Sequence, residues 1–183
     1  VYMRDFVHLS MSESAGMSAI FPGVGAISVL LAGWLGDRLG SNGRPLILFV
    51  GLTATAVALV LLAGIHRGGT DTLPIALIGV VAFFLIGPYA YLGGAMALDF
   101  GGKAAGAVAS GIIDGIGYLG AVSAGAGGAK IAVTFGWRSL FATLAVIGGV
   151  GAIGAGALYA TERRAIAART MAAAHTSAAG VSS

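Results

Sequence analysis

Long charge-free hydrophobic runs, separated by short polar connections, dominate this chain. Five windows are long enough, at about 20 residues or more, to cross the hydrocarbon core of a bilayer as helices. They lie at residues 15–36, 45–65, 73–98, 104–129 and 139–160. The ten-residue alternation of membrane β-barrel strands does not occur in the sequence. The pattern therefore predicts an all-α, polytopic membrane helix bundle with five complete spans.

Composition supports a membrane protein and narrows its function. Hydrophobic residues make up 57% of the 183 residues and charged residues only 9%, whereas about a quarter of a soluble domain is charged. The sequence shows no set of nucleophile, base and orienting group, and its net charge of +3 is too small to indicate nucleic-acid binding. We therefore predict that the protein is not an enzyme and does not bind nucleic acid.

The sequence predicts neither a cofactor nor a metal. Residues 149–154 match the dinucleotide-binding pattern G-x-G-x-x-G by letter, but they lie inside a spanning window and follow no strand. The chain has no cysteine, and His8, His66 and His175 have no second ligand at metal-binding spacing.

Polar segments divide the chain and orient it. Residues 1–13 are expected to be the outer end of a truncated helix with its loop, residues 14–160 the transmembrane bundle, and residues 161–183 a disordered cytoplasmic tail. Basic residues favour the cytoplasmic side of a membrane, and six lie on the side of the tail against four on the other. This count predicts a cytoplasmic C-terminus. The two groups are Arg38, Arg44, Lys103, Arg163, Arg164 and Arg169, against Arg4, Arg67, Lys130 and Arg138.

Asp114 is the only formal charge inside a predicted span. A carboxylate at the bilayer centre costs at least about 2.5 kcal/mol, so it is expected to face a polar cavity or a partner. Ser110 and Tyr118 lie four residues before and after it, and all three therefore share one helical face. This face is the candidate substrate-binding surface. The alternative is a structural carboxyl group, protonated or paired at a helix interface.

The connection after the first span contains a candidate gating loop with Gly33, Asp37, Arg38 and Arg44. An ordinary positively charged cytoplasmic loop would explain these charges. However, G-x-x-x-D-R with a second arginine also resembles the loop motif of the major facilitator superfamily, which follows the second helix and recurs after the eighth. In that superfamily the motif holds the cytoplasmic face closed in one state and releases it in the other.

Five further segments resemble one branch of that superfamily in their order and spacing. They are similar to the tenth to twelfth helices of the organophosphate:phosphate antiporters, which include glycerol-3-phosphate and sugar-phosphate transporters. The resemblance covers nearly the whole chain. It implies that the five spans are helices eight to twelve, in the C-terminal half of a twelve-helix carrier. The segments are residues 84–91 (FLIGPYAY), 97–99 (ALD), 103–106 (KAAG), 117–120 (GYLG) and 135–138 (FGWR).

The resemblance also implies roles for single residues. Tyr118 falls at the tyrosine of the family's Gly-Tyr-Leu-Gly segment near the central cavity, and Tyr89 follows the Gly-Pro of the tenth helix as a further substrate-binding candidate. Ile86 stands where bacterial glycerol-3-phosphate transporters have a tyrosine. The pattern around Asp114 is similar to other branches, including eukaryotic sugar-phosphate carriers. The two arginines that grip the phosphate in this family, on the first and seventh helices, are expected outside this chain.

The function implied by the resemblance is exchange of glycerol 3-phosphate or a sugar phosphate for inorganic phosphate by alternating access. The implied partners are these two small molecules, the lipid bilayer and the missing N-terminal half of the transporter, in a bacterial cytoplasmic membrane. Three alternatives stay open. They are a transporter of another anion or a proton-coupled solute, a transporter-like sugar-phosphate sensor, and a truncated remnant without activity.

Overall fold

A computed structural model describes residues 10–40, 43–65 and 72–181. This described part contains helices and no β-strand, which confirms the predicted all-α bundle. The helices are α1 Met11–Ser18, α2 Ile20–Leu39, α3 Arg44–Gly64, α4 Thr72–Tyr91, a π-helical turn Leu92–Met96, α5 Ala97–Phe135 and α6 Trp137–Val181.

Five stretches of these helices are long and apolar enough to cross a membrane, as predicted. They begin and end within a few residues of the predicted windows at most boundaries. The third stretch runs from α4 through the π turn into the first residues of α5. The chain is therefore an integral membrane protein with a helical bundle fold. The stretches are Ile20–Leu39, Arg44–Gly64, Thr72–Asp99, Ala104–Phe135 and Trp137–Ala168.

The two ends of the chain differ in how far the structure describes them. Residues 1–9 of the predicted outer segment lie outside the described residues, and α1 begins at Met11. At the other end α6 continues as a helix to Val181, where a disordered tail was expected. The tail is rich in alanine, the residue with the highest intrinsic helix propensity, so the helix can extend beyond its apolar part.

Glycines with positive φ mark the chain's sharp turns. Gly40 has φ 68° and ends α2, and its N–H donates to the Gly36 carbonyl at 2.9 Å. Gly102, with φ 60°, interrupts α5 between the third and fourth spans. Gly136, with φ 83°, separates α5 from α6. These turns reverse the chain at the membrane boundaries and make successive spans antiparallel.

Small residues bring the helices into close contact. The buried stripe of α2 consists of Gly25, Ser28, Ala32 and Gly36, and it packs on α4. There the Ser28 hydroxyl donates to the Phe83 carbonyl. Between α3 and α6, glycines of α6 likewise lie against α3 side chains. Small side chains allow such close packing in lipid, where no hydrophobic effect drives helices together.

The fourth span is far less covered than the others. Only 6% of its apolar window is buried, against 39% for the second span. α5 touches the π turn along one face and the start of α6 near its end. The rest of this apolar helix is exposed within the described part of the chain.

Candidate functional site

A helix break within the third span forms the base of the candidate site. Pro88 lies inside α4, and the helix continues through it to Tyr91. The irregularity comes at Gly94, where φ of −104° and ψ of −105° leave the helical region inside the π turn. Such π-helical insertions disturb the regular hydrogen-bond ladder and are frequent at functional sites.

Polar groups of α5 gather around Gly93 in this break. The Ser110 hydroxyl donates to the Gly93 carbonyl at 2.5 Å. Asp114 Oδ1 lies 2.8 Å from the position that a Cβ on Gly93 would occupy. A side chain on residue 93 would therefore displace the carboxylate, and glycine leaves the room for this close approach.

Tyr89, about one helical turn before Gly93 in the chain, makes a second close contact between α4 and α5. Its hydroxyl lies 2.7 Å from the position that a Cβ on Gly117 would occupy. Because α4 and α5 are antiparallel, Tyr89 and Gly93 face Gly117, Asp114 and Ser110 in order. We call these five residues the mid-span cluster. It unites three of the four predicted substrate-binding residues.

Tyr118, the fourth predicted residue, lies beside this cluster. It directly follows Gly117, and 74% of its surface is exposed. Tyr89 is 46% exposed, and Ser110 and Asp114 are half-buried. The cluster thus borders the open side of α5, and Tyr118 projects from that side.

Asp114 has no cationic neighbour bound to it in the described part of the chain. It lies ten residues after Ala104, where the fourth span begins, which places it about 15 Å along the helix axis. With the membrane surface at Ala104, this distance places Asp114 near the middle of a hydrocarbon core about 30 Å thick. A carboxylate at this depth is costly unless something else neutralises or solvates it.

The predicted gating loop contains one ion pair between helices. Arg44 Nη1 donates to Asp99 Oδ2 at 2.6 Å, joining the start of α3 to the end of the third span. The side chains are 18% and 34% exposed, respectively. Glu162 of α6 is close enough to Asp99 for electrostatic repulsion. Charges from three helices therefore meet at this boundary.

The remaining gating-loop candidates make no ion pair with another helix among the described residues. Asp37 and Arg38 are exposed, and the Arg38 guanidinium lies 4.1 Å from the centre of the Trp34 ring. No atom comes within 4 Å of a Cβ position on Gly33. Of the four candidates, Arg44 is thus the residue that forms an ion pair with another helix in the described part of the chain.

A second close contact lies beside that ion pair. The hydroxyl and ring of Tyr91 cover Gly36, so that a Cβ there would overlap the tyrosine. Tyr91 is 8% exposed and also experiences the charges of Asp37 and Arg44. We call the Gly36–Tyr91 and Arg44–Asp99 pairs the loop-end contacts.

Sequence reasoning did not identify several of these partners. Asp99 belongs to the family-like segment 97–99, but no role was predicted for it. Its position at the end of a span, opposite a basic loop, was the available signal for an ion pair. Gly36 stands directly before Asp37 and also had no predicted role, because a close approach depends on the helix that packs there. Gly93 is one of many glycines and had no distinguishing signal.

Two apolar cavities lie elsewhere in the bundle. One of about 240 Å³ is between α2, α3 and α4, and one of about 590 Å³ is mainly between α3, α4 and α6. Neither is lined by Tyr89, Ser110, Asp114 or Tyr118. Their apolar walls do not suit a phosphorylated ligand, so the polar groups of the mid-span cluster are the better candidates.

Similar proteins are found among bacterial transport and sensor proteins. The "Probable hexose phosphate transport protein" of Chlamydia muridarum is 31% identical over 144 residues, covering 79% of this chain and 31% of that protein. "Membrane sensor protein UhpC" of Salmonella typhimurium is 30% identical over 162 residues, covering 82% of this chain and 36% of the sensor. UhpC of Escherichia coli is 29% identical over the same length and the same shares.

The chain spans about a third of the length of these curated relatives. Their names denote transport and sensing and not enzymes, in agreement with the prediction that the chain is not an enzyme. The chain matches no protein-family profile and no solved structure.

Proposed function

We propose a function from the premise that this chain is an organophosphate:phosphate antiporter-like protein of the major facilitator superfamily, as its relatives confirm. The chain forms the C-terminal half of a carrier that exchanges a sugar phosphate for inorganic phosphate by alternating access. It lies in a bacterial cytoplasmic membrane with its C-terminus in the cytoplasm. The other half supplies the opposing wall of the substrate cavity.

The mid-span cluster is the observation that carries this proposal. It places hydroxyl groups and one carboxylate at a helix break, beside the exposed face of α5. Discontinuous helices near the bilayer midplane commonly form the substrate sites of transporters. Hydroxyls donate hydrogen bonds to phosphate oxygens, and a carboxylate accepts them from sugar hydroxyls.

Each predicted residue has a role in this proposal. Tyr118 and Tyr89 donate from their phenolic hydroxyls into the cavity, and Ser110 holds the broken segment through the Gly93 carbonyl. Asp114 accepts hydrogen bonds from hydroxyl groups of the sugar. The phosphate itself would repel Asp114 and is bound further away by arginines of the other half.

The loop-end contacts supply a gate in this proposal. Arg44 holds Asp99 across two helix ends in the state described here. A carrier that alternates must break such contacts on one face when the other face closes. The exposed charges of Asp37 and Arg38, at the end of α2, are available to meet the opposing half.

Liposomes that contain the full-length protein and are loaded with phosphate test the exchange. We expect uptake of labelled hexose phosphate only when phosphate is inside. Asp114→Asn should reduce hexose phosphate exchange by about tenfold and phosphate self-exchange much less, since only the sugar offers hydroxyls to the carboxylate. Tyr118→Phe removes one donor and should weaken the apparent affinity. Equal effects of Asp114→Asn on both exchanges would contradict the assigned role, and uptake without internal phosphate would contradict antiport.

A sugar-phosphate sensor is the second candidate, favoured by the match to UhpC over 162 residues. A sensor needs ligand binding but little net movement of substrate. Saturable binding of hexose phosphate together with negligible exchange would select this function over the antiporter. Absence of binding in the full-length protein would reject both.

A further inference from the structure

The three oxygen atoms around Gly93 are arranged in an unusual way. The single hydrogen of the Ser110 hydroxyl is used on the Gly93 carbonyl, at 2.5 Å. Ser110 therefore presents only lone pairs to the remaining space. Asp114 Oδ1 lies beside the same glycine, 2.8 Å from the position that a Cβ there would occupy. A carboxylate, a hydroxyl oxygen and a carbonyl thus come together with no hydrogen-bond donor bound to the carboxylate in the described residues.

We propose that these oxygens bind a monovalent cation, with Na⁺ as the fitting ion. Hard cations prefer oxygen ligands of these kinds: carboxylates, carbonyls and hydroxyls. Backbone carbonyls exposed where transmembrane helices unwind are suited to coordinating Na⁺. A single carboxylate supplies one negative charge, which one monovalent ion balances.

The π turn explains why such a site can exist at this depth. A regular helix keeps its carbonyls within its own hydrogen-bond ladder, whereas here Gly94 has non-helical φ and ψ inside the π turn, directly after the carbonyl of Gly93. Glycine at position 93 leaves the space that the carboxylate needs. The two adjacent glycines therefore serve the site in different ways. Gly94 supplies the non-helical conformation, and Gly93 leaves space through its missing side chain.

A bound cation is compatible with the role of Asp114 in sugar binding. A carboxylate has two oxygens and about four acceptor positions, so Oδ1 can bind the ion while the other oxygen meets the substrate. Neutralising the carboxylate also lowers its repulsion of a phosphorylated ligand in a low-dielectric site. The cation site itself rests on the geometry around Gly93 and does not require the proposed exchange.

Equilibrium binding of radioactive Na⁺ to the purified full chain in detergent tests the site. Sugar phosphate and inorganic phosphate are omitted, and choline chloride keeps the ionic strength constant. We expect saturable binding of one ion per chain. Asp114→Asn should abolish this binding, and Ser110→Ala should weaken it by about tenfold through the loss of one ligand. Asp37→Asn, which removes an exposed carboxylate, is the matched control and should bind Na⁺ normally.

Gly93→Ala provides a second variant in case the first does not fold. It keeps every ligand side chain but adds a methyl group that displaces Asp114 Oδ1, so Na⁺ binding should weaken while helix content by circular dichroism is retained. The proposal is overturned if the wild-type chain shows no saturable Na⁺ binding at neutral pH. It is also overturned if folded Asp114→Asn binds as the wild type does. Na⁺ binding without phosphate exchange would support this site and reject the antiporter. Phosphate exchange without Na⁺ binding would support the antiporter and reject this site.

Discussion

Asp99 and Asp114 are two carboxylates of the same membrane bundle in opposite surroundings. Asp99 stands at the end of a span and meets Arg44 at 2.6 Å. Asp114 stands within a span, beside a hydroxyl and a carbonyl, and no cation is bound to it in the described part of the chain. The first charge is neutralised inside the fold, whereas the second has no such partner among the described residues and is available to something that binds.

This difference separates a stabilising region from a functional one. The loop-end contacts are close, and Arg44 and Asp99 among them neutralise each other, so their loss should reduce stability. The mid-span cluster retains a costly charge in an open position, a pattern that is typical of sites that use the charge. Substitutions at the two regions should therefore affect different measurements, and the expected effects can be ordered by size.

Gly36→Ala should have the largest effect on stability because it breaks the loop-end contacts by overpacking. The new methyl group overlaps the Tyr91 hydroxyl and ring, and we expect the free energy of unfolding to fall by about 1–3 kcal/mol. Gly33→Ala on the same helix is the control, since its Cβ enters open space. Unfolding in mixed micelles measures both. Equal stability of the two variants would disprove the close packing of Tyr91 on α2.

Arg44→Gln and Asp99→Asn, combined in a double-mutant cycle, measure the ion pair itself. We expect a coupling energy of about 1–2 kcal/mol, between the values for exposed and for buried pairs, because both side chains are partly exposed. The stability losses of the two single variants should together exceed the loss of the double variant. A coupling energy near zero would mean that the pair does not hold the helix ends together.

Asp114→Asn should leave the protein as stable as before or stabilise it by about 1 kcal/mol in Na⁺-free buffer, since it removes an unbalanced charge from the bilayer. The free energy of unfolding in choline chloride is the measurement. A clear loss of stability would instead indicate that Asp114 has a structural partner, which is the alternative raised by the sequence.

The difference in stability between Gly117→Ala and Gly115→Ala should be the smallest of these effects. A methyl group at Gly115 meets nothing within 4 Å, so alanine should stabilise α5 by up to about 1 kcal/mol through helix propensity. At Gly117 the methyl group meets the Tyr89 hydroxyl, and this gain should be reduced. Thermal unfolding of the two variants in the same detergent compares them. A larger gain for Gly117→Ala would place Tyr89 away from α5.

The sequence predicted the spans well because hydrophobic length determines whether a helix crosses a membrane. It also predicted that Asp114 and Ser110 share a face, since helical periodicity alone decides that. It did not predict that both meet Gly93, because this contact depends on how α4 and α5 pack. The helix break lies at Gly94 and not at Pro88, since the helix continues through that proline.

Uptake of labelled hexose phosphate into phosphate-loaded liposomes, for Asp114→Asn beside Gly115→Ala in the full-length protein, tests the central claim most directly. The account predicts that wild-type uptake requires internal phosphate. Asp114→Asn should lower this uptake by about tenfold, while the adjacent Gly115→Ala stays close to the wild type. Wild-type exchange that is unchanged by Asp114→Asn would contradict a functional role for the mid-span cluster.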